Sequence, residues 1–157
     1  MKRKVLLLEP NYKNKYPPMG LMKLASYFRL LGDDVTFYKG DLNRLKAKIL
    51  VDELILELKN KNNDVFWADY YESLIDYIKI GRYDYIDKII KENPGIKELL
   101  NKYRKIYQNK QIPNNYKFDF IAITTLFTFY WDITIKTINF AKQICKDEKC
   151  INVGGIA

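Results

Sequence analysis

The feature that most constrains this chain is an unbroken apolar run, Val5-Leu6-Leu7-Leu8, that stops at Glu9-Pro10. A run without alternation is what a strand covered on both faces requires, because neither side-chain direction meets water. A polar loop from Asn11 to Lys15 follows, and Pro17-Pro18 keeps the backbone extended. Gly20 then opens a segment whose Leu21, Leu24, Ala25, Phe28 and Leu31 fall at helical spacing, and it is expected in a turn that passes close to the sheet edge at positive φ. Gly32 is placed to end the helix, and Val35, Phe37 and Tyr38 begin a second strand. Strand, helix and strand in so short a stretch predict a right-handed βαβ crossover with parallel strands.

From residue 43 the pattern changes to helices in succession. Leu45, Ile49, Leu54, Ile55 and Leu58 predict one helix over 43–60. A second is expected from Asp64, as its cap, to Gly81, carrying Trp67, Tyr70, Tyr71, Leu74, Ile75 and Ile78. A short third spans 83–92. Asn93-Pro94 offers a cap and a first-turn proline for a fourth, with Ile96, Leu99, Leu100, Tyr103 and Ile106 on one face. A simple crossover needs one helix, so 43–116 reads as a helical insertion between 1–42 and 117–157. Its aromatic stripe, Phe66, Trp67, Tyr70, Tyr71 and Tyr77, has the composition to stack on a planar ligand or single-stranded nucleic acid, but aromatics at helical spacing are more often packing residues, and packing is the reading favoured.

After the insertion, Phe118 to Thr124 reads as a third strand, 131–146 as a helix with Ile135, Ile138 and Cys145 on its core face, and Cys150 to Val153 as a fourth strand meeting Gly154-Gly155. Four parallel strands near 4–9, 34–38, 118–124 and 150–153, alternating with crossovers, predict a three-layer parallel α/β sheet of Rossmann-like or flavodoxin-like type, ordered 2-1-3-4. A last strand without a helix to cover it predicts a piece of a longer protein.

Composition narrows the function classes. The net charge is +8, yet only five of the 27 basic residues are Arg and acids are interspersed throughout, so solvated faces are expected rather than a nucleic-acid site. No run is long enough for a membrane span or a signal-peptide apolar region, which predicts a cytosolic protein with no membrane partner. The chain has no His, and therefore no imidazole acid–base catalyst, no Ser-His or Cys-His pair and no ordinary zinc site. Cys145 and Cys150 are close enough in sequence for a metal or redox pair, but the favoured reading is two reduced, partly buried thiols.

Three stretches, taken in order, carry a resemblance. The apolar strand ending in Pro10 leads through Tyr16-Pro17-Pro18-Met19-Gly20-Leu21 into a helix and then Gly32-Asp33-Asp34-Val35. Phe118-Asp119-Phe120-Ile121-Ala122-Ile123-Thr124-Thr125 and Ile151-Asn152-Val153-Gly154-Gly155 follow. Together they resemble the cobalamin-binding-type domain that precedes the catalytic barrel in many radical S-adenosylmethionine enzymes. The resemblance covers roughly residues 4–42 and 117–157 and leaves 43–116 unmatched. It implies an N-terminal accessory domain, non-catalytic by itself, whose partner is a downstream catalytic domain of the same protein. The 4Fe-4S cluster, its three-cysteine motif and S-adenosylmethionine would belong to that domain, with a small-molecule substrate.

The same resemblance implies a ligand edge at the C-terminal ends of the strands, with Asn11, Tyr12, Tyr16, Gly20, Thr124, Thr125, Gly154 and Gly155 as candidate cofactor-binding residues. Many such domains carry D-x-H-x-x-G after the first strand, whose His ligates cobalt; this chain has Glu9-Pro10-Asn11-Tyr12-Lys13 there. Tyr12, Tyr16, Phe127, Phe129 and Tyr130 also crowd the expected edge, so the expectation is that this chain binds no cobalamin. Asp41, at the end of the second strand, is read as a helix cap rather than a ribose ligand, since no G-x-G-x-x-G precedes it. Read without the family, the same edge suggests a stand-alone flavodoxin-like module for a nucleotide or other small phosphorylated ligand.

Overall fold

The computed structural model describes residues 2–13, 18–61, 65–82, 84, 86–125 and 131–155. Tyr16, Asp64, Tyr83, Phe127, Phe129 and Tyr130, named above, lie outside those residues. The chain divides into two compact units, one formed by 1–42 and 113–157, the other by 43–112.

The first unit holds a four-stranded parallel sheet in the order β2-β1-β3-β4. Its strands are β1 (Lys4–Glu9), β2 (Asp34–Lys39), β3 (Phe120–Thr125) and β4 (Ile151–Gly155). Helix α1 (Met19–Leu30) joins β1 to β2, and α6 (Trp131–Ile144) joins β3 to β4. The order reverses at β1, so right-handed crossovers place the two helices on opposite faces, which makes a three-layer Rossmann-like, flavodoxin-like α/β domain. Val5, Leu6, Leu7 and Leu8 are wholly excluded from solvent, as the unbroken run requires. Val5 and Leu7 form one apolar cluster with Leu21, Ala25 and Phe28 of α1 and Ala122 of β3. The Phe28 ring tilts against Phe120 with centroids 5.0 Å apart.

Helix α1 ends in a paired-carbonyl cap. Gly32, at φ +84°, donates to the Arg29 carbonyl at 3.0 Å, and Asp33 N–H reaches back to Phe28 at 3.1 Å. At the opposite end of the sheet from the ligand edge, the Asp119 carboxylate accepts from the Lys4 backbone N–H at 2.8 Å and from Lys146 Nζ at 2.7 Å. This stitches β1, β3 and the segment after α6 together.

The second unit is helical: α2 (Leu42–Lys61), a single 3-10 turn over Trp67–Tyr70, α3 (Tyr71–Ile80), α4 (Asp87–Glu92) and α5 (Pro94–Gln108). The aromatic stripe divides by role. Trp67 and Tyr77 are buried, Tyr70 and Tyr71 are half-buried, and Phe66 is exposed.

Several expectations change. Gly20 sits in the first turn of α1 with φ outside the positive region, and a Cβ there would meet nothing within 4 Å, so neither positive φ nor close approach explains it. The helix instead starts one residue earlier, at Met19. On α1 only Leu21, Ala25 and Phe28 are buried, while Leu24 and Leu31 are exposed, because a straight helix on a sheet buries a narrow stripe. The core face of α6 is Thr134, Thr137, Phe140, Ala141 and Ile144, not Ile135, which is 38% exposed. Thr137 can be buried because its hydroxyl donates to the Ile133 carbonyl at 2.8 Å. Asn93 does not cap α5 through its side chain; its Nδ2 donates to the Ile89 carbonyl of the preceding helix at 3.3 Å. The third helix begins at Asp87 rather than 83, and β3 begins at Phe120, with Phe118 making only a single bridge to Cys145.

Candidate functional site

Parallel strands send all four of their C-terminal ends to one edge. In register across it stand Glu9 beside Lys39, Thr124 beside Gly154, and Thr125 beside Gly155. Alternation decides which face each side chain takes. Val5 and Leu7 face α1, so Glu9 does too; Lys39, its register partner, and Thr124, one pair beyond Ala122, share that face. The C-terminal rim of the α1 face is therefore a polar row, Lys39-Glu9-Thr124-Gly154, laid directly on an apolar row, Phe37-Leu7-Ala122-Asn152, of which only Asn152 is polar.

Glu9 falls on the expected ligand edge, as does Lys39, but outside the candidate binding residues. It is only 4% exposed, and Lys39 Nζ stands 3.3 Å from its Oε1. Only the carboxylate is buried; Lys39 keeps 27% of its side-chain surface in solvent, so the charge that offsets the desolvation of Glu9 comes from a partly solvated partner. The only sequence signal was position: an acid ending a fully apolar strand at the ligand-bearing edge, which also reads as an ordinary strand terminator.

The candidate residues fall into distinct situations. Tyr12 is buried, and its hydroxyl is hydrogen-bonded to Thr134 Oγ1 of α6, while its N–H donates to the Pro10 carbonyl at 2.6 Å. Its ring thus pins the loop after β1 onto α6. Asn11 is exposed, Thr124 and Thr125 are half-buried, and Gly154 is exposed with open space where a Cβ would stand. The structure brings Thr124, Thr125, Gly154 and Gly155 together as adjacent pairs. Gly20 lies in the first turn of α1, outside those register pairs.

At the β2 end of the edge, Gly40 has φ +148°, and a Cβ on it would stand 3.1 Å from the Tyr38 hydroxyl. That hydroxyl donates to the Asp41 carbonyl at 2.6 Å, which fixes the turn into α2. Asp41 immediately precedes α2.

This edge does not fit a corrin held from below. The loop after β1 offers no imidazole, and the side chain that fills it, Tyr12, is committed to α6. No group of three or more Cys, Asp or Glu able to hold a metal occurs among the described residues. Cys145 is buried, Cys150 half-buried, and both are free thiols. Burial pushes the Cys145 thiol pKa up, away from the thiolate that chemistry or metal binding needs. Among the described residues no helix is long and apolar enough to cross a membrane.

Comparison with protein-family models, curated proteins and solved structures finds no match to this chain. The class that the geometry defines is thus a parallel α/β domain with a helical unit between its second and third strands.

Proposed function

We propose that the sheet unit is a non-catalytic accessory domain of the cobalamin-binding-like type, serving a radical S-adenosylmethionine catalytic domain in the same protein and binding no cobalamin itself. The observation that carries this reading is the convergence of three stretches far apart in sequence, 9–12, 124–125 and 154–155, on a single sheet edge. Those are the strand ends on which the family resemblance rests. The side-chain inventory is in keeping with a non-catalytic role: the chain has no His, and among the described residues the edge offers the Thr124 and Thr125 hydroxyls and the Glu9 carboxylate paired with Lys39. It can shape and orient a polar small molecule.

The test is to read the natural coding sequence beyond Ala157. A downstream C-x-x-x-C-x-x-C supports the assignment, and a stop codon at that point removes it. Equilibrium dialysis of the 157-residue chain against hydroxocobalamin should show no saturable retention at micromolar concentration. One-to-one retention, weakened by Thr125→Trp or Gly154→Trp, would overturn the cobalamin-free part. In a thermal-shift series with flavin and adenine nucleotides this reading expects no stabilisation; a clear rise would favour a stand-alone nucleotide-binding module instead.

A further inference from the structure

Both cysteines of the chain lie at the N-terminal root of β4. Cys145 directly follows α6, and the turn after it carries the chain to Cys150, the residue before the strand. A parallel bridge holds Cys145 beside Phe118: the Phe118 N–H donates to the Ile144 carbonyl at 2.9 Å, and the Lys146 N–H to the Phe118 carbonyl at 3.1 Å. Cys150 immediately precedes the Ile121–Ile151 pair, which brings it level with Phe120. The two cysteines thus line the same side of β3 and its approach, two register steps apart, with 146–149 looped out between them. Two rises of a parallel strand put their Cα atoms about 6.6 Å apart, within the span of roughly 4.4–6.8 Å that a disulfide bridges. Alternation turns Phe118 and Phe120 to one face, and register partners share it, so both thiols start on the same side of the sheet.

Their surroundings differ. Cys145 is 3% exposed and its Sγ donates to the Lys142 carbonyl at 3.8 Å, whereas Cys150 is half-buried. Burial is the main cause that pushes the Cys145 thiol pKa up, and Cys150 adds to it, an effect that only a nearby group exerts. The strand they precede is the least secured of the sheet: β4 pairs with β3 alone, and Asn152, Val153 and Gly154 are exposed. A strand held by one ladder and little burial opens at lower free energy than its neighbours.

We propose that Cys145 and Cys150 are a reversible dithiol–disulfide pair whose closure pins the root of β4 against β3. A low-molecular-weight disulfide such as oxidised glutathione is the oxidant. The Cys150 thiolate, the accessible one, attacks a glutathione sulfur and releases one glutathione thiolate. Cys145 then loses its proton to solvent, attacks Sγ of Cys150 and releases the second. Two protein thiols become one disulfide while one oxidised glutathione becomes two thiols. The second step is the slow one, because less of Cys145 is thiolate. The strand so pinned carries Gly154 and Gly155 at its other end, on the candidate ligand edge.

The experiment incubates the folded 157-residue chain with glutathione redox buffers and follows thiol content and intact mass. The expected product is a monomer lighter by two hydrogen atoms and free of glutathione. Its equilibrium constant should be roughly tenfold larger in the folded chain than in denaturing urea, since a bond that fits the fold is favoured by it. Amide exchange in 151–155 should slow roughly tenfold on oxidation, with exchange in 4–9 unchanged. Cys145→Ser should stop at a mixed disulfide on Cys150, and Cys150→Ser should keep its thiol and show no slowing. An equilibrium constant no larger in the folded chain than in urea would overturn the pair, as would glutathione retained on the unsubstituted chain or a bond between two copies. An intramolecular disulfide that leaves exchange in 151–155 unaltered, or speeds exchange in 4–9, would overturn the pinning.

Discussion

In the sheet unit the elements are joined by backbone ladders and by a dry row of side chains, Leu7 and Ala122, packed under Leu21, Ala25 and Phe28 of α1. In the helical unit much of the joining is done by polar side chains that reach from one helix to the next. Arg44 of α2 grips Glu72 of α3 with two bonds, at 2.9 and 2.6 Å; the Tyr71 hydroxyl donates to Asp52 at 3.0 Å, and the Tyr103 hydroxyl to Glu57 at 2.5 Å. Tyr77 bonds Asn101, and Lys46 Nζ donates to the Asn109 carbonyl, at the C-terminal end of α5, at 2.5 Å. The difference follows from geometry. A strand satisfies its polar backbone by pairing and leaves side chains free to be apolar, whereas helices satisfy theirs internally and are oriented only by what their side chains do.

The harshest way to break this comparison is to open the dry row. Leu7→Ala removes a fully buried side chain between α1 and the strands, and should cost about 2–5 kcal/mol in urea unfolding. Val153→Ala, on a strand whose side chain is 46% exposed, should cost well under half as much although both residues sit in parallel strands. Equal costs would mean that β4 is covered after all.

In the helical unit the most sensitive point is a glycine. Gly81 ends α3 at φ +75°, donating to the Tyr77 carbonyl at 2.8 Å, and a Cβ there would stand 3.1 Å from the Arg104 guanidinium. Among the described residues Arg104 Nε is buried without a hydrogen-bond partner, and its guanidinium lies over this glycine. Gly81→Ala should cost about 1–2 kcal/mol by thermal unfolding. Combining it with Arg104→Ala should recover the clash but not the backbone strain. Full recovery would show that φ is not the constraint.

Tyr103→Phe tests the polar ties directly. It keeps the buried ring and deletes one bond to Glu57, for an expected loss of about 1 kcal/mol. No loss would mean that the helical unit is held by its apolar contacts alone. The opposite sign is expected at Gly20. With open space for a Cβ in the first turn of α1, Gly20→Ala should raise stability by about 0.5–1 kcal/mol.

Gly20 also shows where sequence reasoning stops. A glycine between a proline pair and an apolar helix looks like a turn residue, and nothing in the sequence says that the space around it is empty. Strands β1 and β3 were legible because burial on two faces leaves an apolar run, and Gly32 because a helix end and a positive φ coincide. The core face of α6 was not legible: Thr134 and Thr137 are buried with their hydroxyls satisfied locally or by Tyr12, which a polarity pattern scores as surface. At the candidate edge the Thr124–Gly154 and Thr125–Gly155 adjacency could be anticipated from the strand order. The Glu9–Lys39 pair depended on register, which periodicity does not reveal.

Acid should sharpen the comparison between units, with the smallest effect of all. In the sheet unit two carboxylates lie below their ordinary range: Asp119, chiefly through its bond from Lys146 and then the Lys4 N–H, and Asp33, chiefly through its bond from Arg3. A depressed folded pKa contributes stability that is present above the unfolded value and is lost as pH falls through the folded one. In the helical unit the signs oppose. Glu72 is lowered by Arg44, but Asp52, exposed as a residue, loses enough water beside Tyr71 for its pKa to rise, so acidification relieves a cost there. Glu72 and Asp119 stay in contact with solvent, and screening keeps their contributions small. Below the ordinary aspartate range, hydrogen exchange should therefore accelerate in peptides from 2–42 and 118–146 before those from 43–112. Asp119→Asn should flatten that acid limb in the sheet unit and leave the helical unit's response unchanged. If the helical unit opens first, the polar ties between its helices are more acid-labile than the balance of Glu72 against Asp52 allows.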